Sequence, residues 1–403
     1  MSESDRQQAI STLLDQHFTL DPTQPAPADG LPLALPSFGR EEVAEAMMAL
    51  LEGQLTMGKR VAAFERAWAA AVGVREAVAV NSGSSALLVM LEGLIELGRL
   101  QRGQRVIVPA VGWSTSLFSV VQAGLQAHVV DVDPDSLGVE GDFDDPVLAV
   151  HLLGCPARAR SPLLLEDACG AHGATVGGVK VGARGVAGAF SFFFSHHIST
   201  IEGGAVTTND PELADAMRSL RAHGWTRERT DRAAIEAEHP EVDPRFLFVS
   251  AGYNLRMTDL AGAFGVKQVE RLPGFLAQRQ HNHRRWCAEI AALGLPLRVF
   301  PELPGTEHAA FAFPMLLDAD APLSRAELSR RLEAQGVQTR PISGSNLVRQ
   351  PAFARLRGVT LDGPLPVADT VHARGIFVGQ SHAFNDHHGA LLVEALRRAF
   401  AGA

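Results

Sequence analysis

Two neighbouring histidines, His196 and His197, lie in Ser191-Phe-Phe-Phe-Ser-His-His-Ile-Ser-Thr-Ile-Glu-Gly-Gly-Ala-Val206, between an apolar run and a Glu202-Gly203-Gly204 turn. An imidazole that titrates near neutrality can take up and release a proton, which is general acid–base chemistry. A second stretch, Asn81-Ser-Gly-Ser-Ser85, separates a short apolar strand, Ala77–Val80, from a helical pattern running through Leu97. Strand, Gly/Ser turn and helix start together present backbone amides and a positive helix end to a phosphate. The same small residues also simply cap helices. In a third stretch, Leu163-Leu-Leu-Glu-Asp-Ala168, a buried-strand pattern ends on two carboxylates, which either cap the next turn or face a site.

The elements that must position these residues follow from apolar spacing. Helical periodicity predicts helices over Arg40–Leu51, Val61–Val72 and Ser114–Gln122, and over 210–222 with Pro211 near its start. Strands are expected at Arg105–Pro109, His128–Val132, Val147–Leu153, Leu163–Leu165, Ala187–Phe194 and Gly204–Thr207. Continuous apolar runs such as Val147–Leu153 suit parallel strands covered on both faces. Their alternation with helices indicates an α/β fold around a mainly parallel, doubly wound sheet. Residues 1–35 read as a helix and a Pro-rich extended lead-in, and His223–Pro244 as a polar loop. Leu260–Leu272 and a further helix to about Leu293 carry the chain out of a large domain, 36–290. Ala309–Leu317, Ser324–Gln335 and His388–Phe400 then suggest a small α+β domain, 291–403.

Composition narrows the function classes. With 403 residues, 46% hydrophobic and 20% charged, the chain has an ordinary soluble composition. A net charge of −9 argues against nucleic acid or an anionic membrane as partner. The polar, acidic start is unlike a signal peptide, and no apolar run reaches the roughly 18 residues of a membrane span. Cys155, Cys169 and Cys287 lack C-x-x-C spacing, so a reducing cytoplasm is expected, with no structural metal and no iron–sulfur cluster.

Taken together these stretches resemble the DegT/DnrJ/StrS sugar aminotransferases, pyridoxal phosphate (PLP) enzymes of aspartate aminotransferase-like fold type I. The resemblance spans about residues 35 to 385 and implies a seven-stranded sheet. In that family the pattern S-F-x-x-x-K-x-[IL]-[ST]-x-x-E-G-G carries the lysine that binds PLP covalently; His196 stands at that place here. The carry-over implies that Gly83, Ser84 and Ser191 bind the cofactor phosphate. It further implies that Asp167 faces the pyridine nitrogen and that Trp113 covers one face of the ring. Gly252-Tyr-Asn-Leu-Arg-Met-Thr-Asp259 matches the segment whose asparagine, here Asn254, reaches the neighbouring subunit's site, implying a homodimer. Gly170 departs from the polar residue often found beside the cofactor.

Imidazole cannot replace the covalent link, and none of the three lysines, Lys59, Lys180 and Lys267, falls where the frame places the cofactor. The cofactor is then held noncovalently, as PLP or as pyridoxamine phosphate (PMP). His-bearing relatives are sugar-nucleotide 3-dehydratases, in which histidine moves a proton and a hydroxyl leaves. The expected substrate is therefore a nucleotide-linked keto sugar, with Arg227, Arg340 and Arg349 as candidates for its anionic part. A sugar aminotransferase using glutamate or glutamine, and a non-catalytic PLP-fold partner subunit, are the alternatives. His197, at the strand end, is expected to be a catalytic bystander that tolerates Asn with little kinetic change.

Overall fold

In the computed structural model, which describes residues 3–401, the chain opens with α1 (Glu3–His17), α2 (Arg40–Glu52) and α3 (Lys59–Val72). Strand and helix then alternate through β1 (Glu76–Val80), α4 (Gly83–Glu96), β2 (Arg105–Pro109), α5 (Ser114–Gln122), β3 (Gln126–Val130), β4 (Val147–Val150) and β5 (Leu164–Asp167). A hairpin, β6 (Thr175–Val176) and β7 (Val179–Lys180), precedes β8 (Ala187–Ser191), β9 (Gly204–Thr208), α6 (Pro211–Leu220) and α7 (Arg232–Glu238). After α8 (Asp259–Ala291) come β10 (Leu297–Val299), β11 (Thr306–Glu307), β12 (Ala312–Leu317), α9 (Arg325–Glu333) and β13 (Thr339–Pro341). The chain closes with β14 (Val359–Leu361), α10 (Pro366–Arg374), β15 (Gly375–Gly379) and α11 (Asp386–Phe400).

The large sheet has the order β1-β9-β8-β5-β4-β2-β3-β14. From β8 to β14 every pairing is parallel, whereas β9 runs antiparallel to both β8 and β1. That makes eight strands rather than the expected seven. The eighth, β14, comes from the C-terminal part of the chain and pairs with β3 through Val359–Ala127 and Leu361–Val129. The sheet is buried on both faces, as its apolar runs require. Val78 and Val80 of β1 enter the core shared with α4 and α5, while Ala77 and Ala79 enter the opposite core with Phe64 and Trp68 of α3. Each fully buried valine contributes about 1.5–3 kcal/mol.

Other expectations change: the loop expected over His223–Pro244 carries the helix α7. The run Val147–Leu153 is a strand only to Val150; Leu153 takes φ +53 inside a 3-10 turn that docks on residues 309–311. The two helices expected on either side of Leu272 are one 33-residue helix, α8, with Pro273 inside it. Its first half packs against α2 and α3, and its far end, with Trp286, Cys287 and Ile290, joins the core of the antiparallel sheet β10-β12-β15-β13. Ala26 and Leu31 of the lead-in enter that same core. Among the described residues no helix is long and apolar enough to cross a membrane. Nor, among them, is a group of three or more His, Cys, Asp or Glu placed to hold a metal ion.

Candidate active site

The carboxyl ends of β1, β2, β5 and β8 meet at one edge of the large sheet, where open α/β folds place their ligands. The start of α4 lies directly against this edge. A Cβ added to Gly83 would stand 2.6 Å from Ser191 Cβ and 2.9 Å from Cys169 Sγ, so the approach requires glycine. Ser82 caps α4 by accepting from the Ser85 amide at 3.1 Å, and the Ser85 hydroxyl donates to Asn81 Oδ1 at 2.6 Å. These bonds fix the turn and leave the first helical amides, those of Gly83 and Ser84, without intrahelical partners. Gly83, Ser84 and Ser191 are thus brought to one place, and the Ser84 hydroxyl reaches Thr115 Oγ1 at 3.5 Å.

Asp167 ends β5 almost fully buried. Its Oδ2 accepts from the Ser116 hydroxyl at 2.6 Å and its Oδ1 from the Cys169 amide at 3.2 Å. Ser116 went unread in the sequence, although it lies one turn into α5, three residues beyond Trp113. That tryptophan stands at the start of α5 with 66% of its surface exposed, so its ring is free to cover a ligand.

His196 sits in a tight turn closed by its own amide donating to Phe193 O at 2.9 Å. The half-buried ring faces Phe311, 5.0 Å between centroids, and His172, 5.9 Å away. Its Nδ1 is buried without a hydrogen-bond partner. Burial, helped by the charge of Arg279, pushes the imidazole down to about 4, so it is neutral and ready to accept a proton at pH 7. Phe311 also covers Gly170, whose added Cβ would meet the Phe311 ring at 3.7 Å. An aromatic ring therefore flanks the position where a polar side chain is absent.

His197 is a structural anchor rather than a loosely held strand-end side chain. It is fully buried, with Nε2 donating to Ala309 O at 2.8 Å and Nδ1 3.0 Å from Nδ1 of His172. The carbonyl assigns the His197 proton to Nε2; His172 must then donate from Nδ1. Burial holds both rings well below the usual histidine range. His197→Asn strands the buried His172 donor and the Ala309 carbonyl, and is expected to destabilise the fold by about 1–3 kcal/mol. A denaturant titration against wild type measures this; equal midpoints would refute it.

The remaining expected residues lie apart from this cluster. Asn254 is exposed, its Oδ1 accepting from Arg256 Nη2 at 3.0 Å. Arg227 lies over the Trp225 ring at 4.0 Å and donates to Arg245 O at 3.1 Å. Arg349 is paired with Asp369 at 2.6 Å. Exposed Arg340 donates to its neighbour's carbonyl, Thr339 O, at 2.7 Å. The segment that follows it does reach the site's rim: Gly344 N donates to Gly112 O at 3.0 Å and Leu347 N to Ala110 O at 2.8 Å. The three lysines are engaged elsewhere, Lys59 with Glu52, Lys180 with Ala71 O and Lys267 with Glu270.

A phosphorylated pyridine fits the residues present. Free helix amides and Ser191 form a small cradle that a Cβ at Gly83 would fill, and Asp167 is a buried carboxylate able to face a protonated ring nitrogen. The sequence model of the DegT/DnrJ/EryC1/StrS aminotransferase family matches residues 36–143 and 147–397. The chain belongs to this family. Within it, the chain is 34% identical to a GDP-4-keto-6-deoxy-D-mannose 3-dehydratase of Yersinia pseudotuberculosis, over 86% of this chain and 93% of that protein. It is 33% identical to a dTDP-4-dehydro-2,6-dideoxy-D-glucose 3-dehydratase of Saccharopolyspora spinosa, over 86% and 82%. The solved Escherichia coli GDP-4-keto-6-deoxy-D-mannose-3-dehydratase with bound hydrated PLP superposes with a TM-score of 0.83 at 30% identity, covering 91% of this chain and 99% of that one.

Proposed function

We propose that this DegT/DnrJ/EryC1/StrS family member is a PLP/PMP-dependent 3-dehydratase of a nucleotide-linked 4-keto sugar, with His196 as its base. The observation that carries the reading is a neutral imidazole at the lysine position, set in an otherwise complete cofactor cradle. Bound PMP supplies the amine that condenses with the keto group and the ring that takes up electron density. The protein's residues do the rest. Gly83, Ser84 and Ser191 hold the phosphate, Asp167 keeps the ring nitrogen protonated, and Trp113 covers the ring. With its Nδ1 buried, His196 has Nε2 left, which would take a proton from the cofactor's methylene carbon and pass it to the departing 3-hydroxyl, so that the hydroxyl leaves as water.

Arg340, whose guanidinium has no acid partner among the described residues, is our candidate for the substrate's diphosphate. Arg227 and Arg349 are weaker candidates, being engaged with Trp225 and Asp369. We also propose a homodimer. Phe246 and Phe248, 60% and 48% exposed, flank the partly buried Trp225 close to the segment bearing Asn254. A second copy covering this patch would carry Asn254 towards the other subunit's phosphate cradle.

Protein loaded with PMP and incubated with GDP-4-keto-6-deoxymannose, or the dTDP-linked analogue, should form a 3-deoxy sugar one oxygen lighter by mass spectrometry, with one PMP oxidised to PLP and one ammonia released per sugar reduced. Sedimentation of the same preparation should give a dimer. An amino sugar accumulating in step with 2-oxoglutarate would overturn the dehydratase reading.

A further inference from the structure

Arg279 lies in the middle of α8, 4% exposed. Among the described residues no carboxylate is paired with it, and burial alone lowers its guanidinium to about 9. A buried cation left unneutralised costs several kcal/mol. Its hydrogen bonds are unusual too. Nη1 donates to three backbone carbonyls, Ala310 O at 3.3 Å, Phe311 O at 3.1 Å and Gln380 O, while Nε is buried with no partner. The turn it grips is the one that carries Phe311 to His196, and Ala310 holds φ +52 there. His197 and Gln280 take the adjacent carbonyls, Ala309 O and His308 O. Thus every carbonyl from His308 to Phe311 is bound by a side chain.

We propose that Arg279 is a positioning residue for His196, gripping the Ala310–Phe311 turn so that the Phe311 ring seats the imidazole, and placing an unneutralised positive charge behind it. This inference rests on His196 being the base. The titratable groups around His196 are His197 on its own turn, His172 from the segment after β5, and Arg279 from α8. His308, on the Phe311 turn, stacks instead on His283. Both other histidines near His196 are neutral, so Arg279 supplies the charge that acts on it. A positive neighbour disfavours imidazolium, so the histidine stays a base as pH falls. Removing that charge must raise the pH at which His196 protonates.

The test uses PMP-loaded protein with 15N-labelled histidine rings, the His196 signal being assigned by its loss in His196→Asn. In Arg279→Met the His196 titration should rise, with burial still holding it below the usual histidine range. The acid limb of kcat/KM should rise with it. Arg279→Lys should keep the low titration yet lose kcat as the Phe311 turn loosens. An unmoved His196 titration in folded Arg279→Met would reduce Arg279 to a structural residue and overturn the proposal. Should Arg279→Met fail to fold, Phe311→Leu decides: a fall in kcat at constant KM supports the seating, and unchanged kcat overturns it. The NMR titration is independent of turnover. An active His196→Asn would sink the base assignment by itself, whatever Arg279 does.

Discussion

His196→Asn is expected to lower turnover about 10²–10⁴-fold, the usual worth of a positioned general base, without weakening cofactor binding. The reason is spatial separation of roles. In the proposed site Gly83, Ser84 and Ser191 would hold the phosphate, and the ring nitrogen would face Asp167, which Ser116 and Cys169 hold in place. His196 touches none of these; its neighbours are Phe311, Phe193 and His172. Asparagine also fits its half-buried pocket without adding a charge. The check is a pair of measurements on one preparation, PMP affinity by absorbance titration and kcat by product formation. Loss of affinity in parallel with kcat would move His196 from proton transfer to cofactor binding.

Asp167→Asn should be the second most damaging change, and of a different kind. The carboxylate is nearly buried at the end of β5 and receives two hydrogen bonds from the protein, leaving its charge available to a ring N–H. Asparagine keeps the shape and removes the charge. Both cofactor affinity and turnover should drop, the latter by about 10²–10³-fold, the scale found when a preorganised electrostatic partner is lost. Ser116→Ala removes one hydrogen bond and keeps the carboxylate, so its loss should be smaller. Equal turnover in Asp167→Asn and wild type, with saturating PMP, would refute the role.

The framework of the candidate site is legible in the sequence because its parts lie at ends of elements with strong local signals. Ala77–Val80 followed by Asn81-Ser-Gly, and Leu163–Leu165 followed by Glu-Asp, each announce a strand delivering a turn to one edge. What escaped depends on distant contacts. Phe311 meets His196 because the 309–311 turn docks on Leu153 and Gly154, and nothing local marks that meeting. The same docking ends the apolar strand at Val150. Nothing in the sequence around Arg279 marks its burial, which the fold alone produces. Pro273 suggests a break, since an interior proline costs about 3 kcal/mol, yet α8 is held at both ends by separate cores and continues through it. The structural role of His197 is hidden in the sequence for a related reason: its two partners come from residues 172 and 309.

The strand β14 carries a consequence for biosynthesis. Its cross-strand bond from Thr360 to His128 spans 232 residues of chain. At about 5–20 residues per second, β3 leaves the ribosome on the order of tens of seconds before the strand that covers it. During that interval Gln126–Val130 is an open sheet edge, the kind of surface that recruits strands from other chains. Nascent chains stalled before residue 359 should therefore be the aggregation-prone species, even with the rest of the large sheet complete. The C-terminal region thus acts as a late closure for the sheet on which the whole site is built.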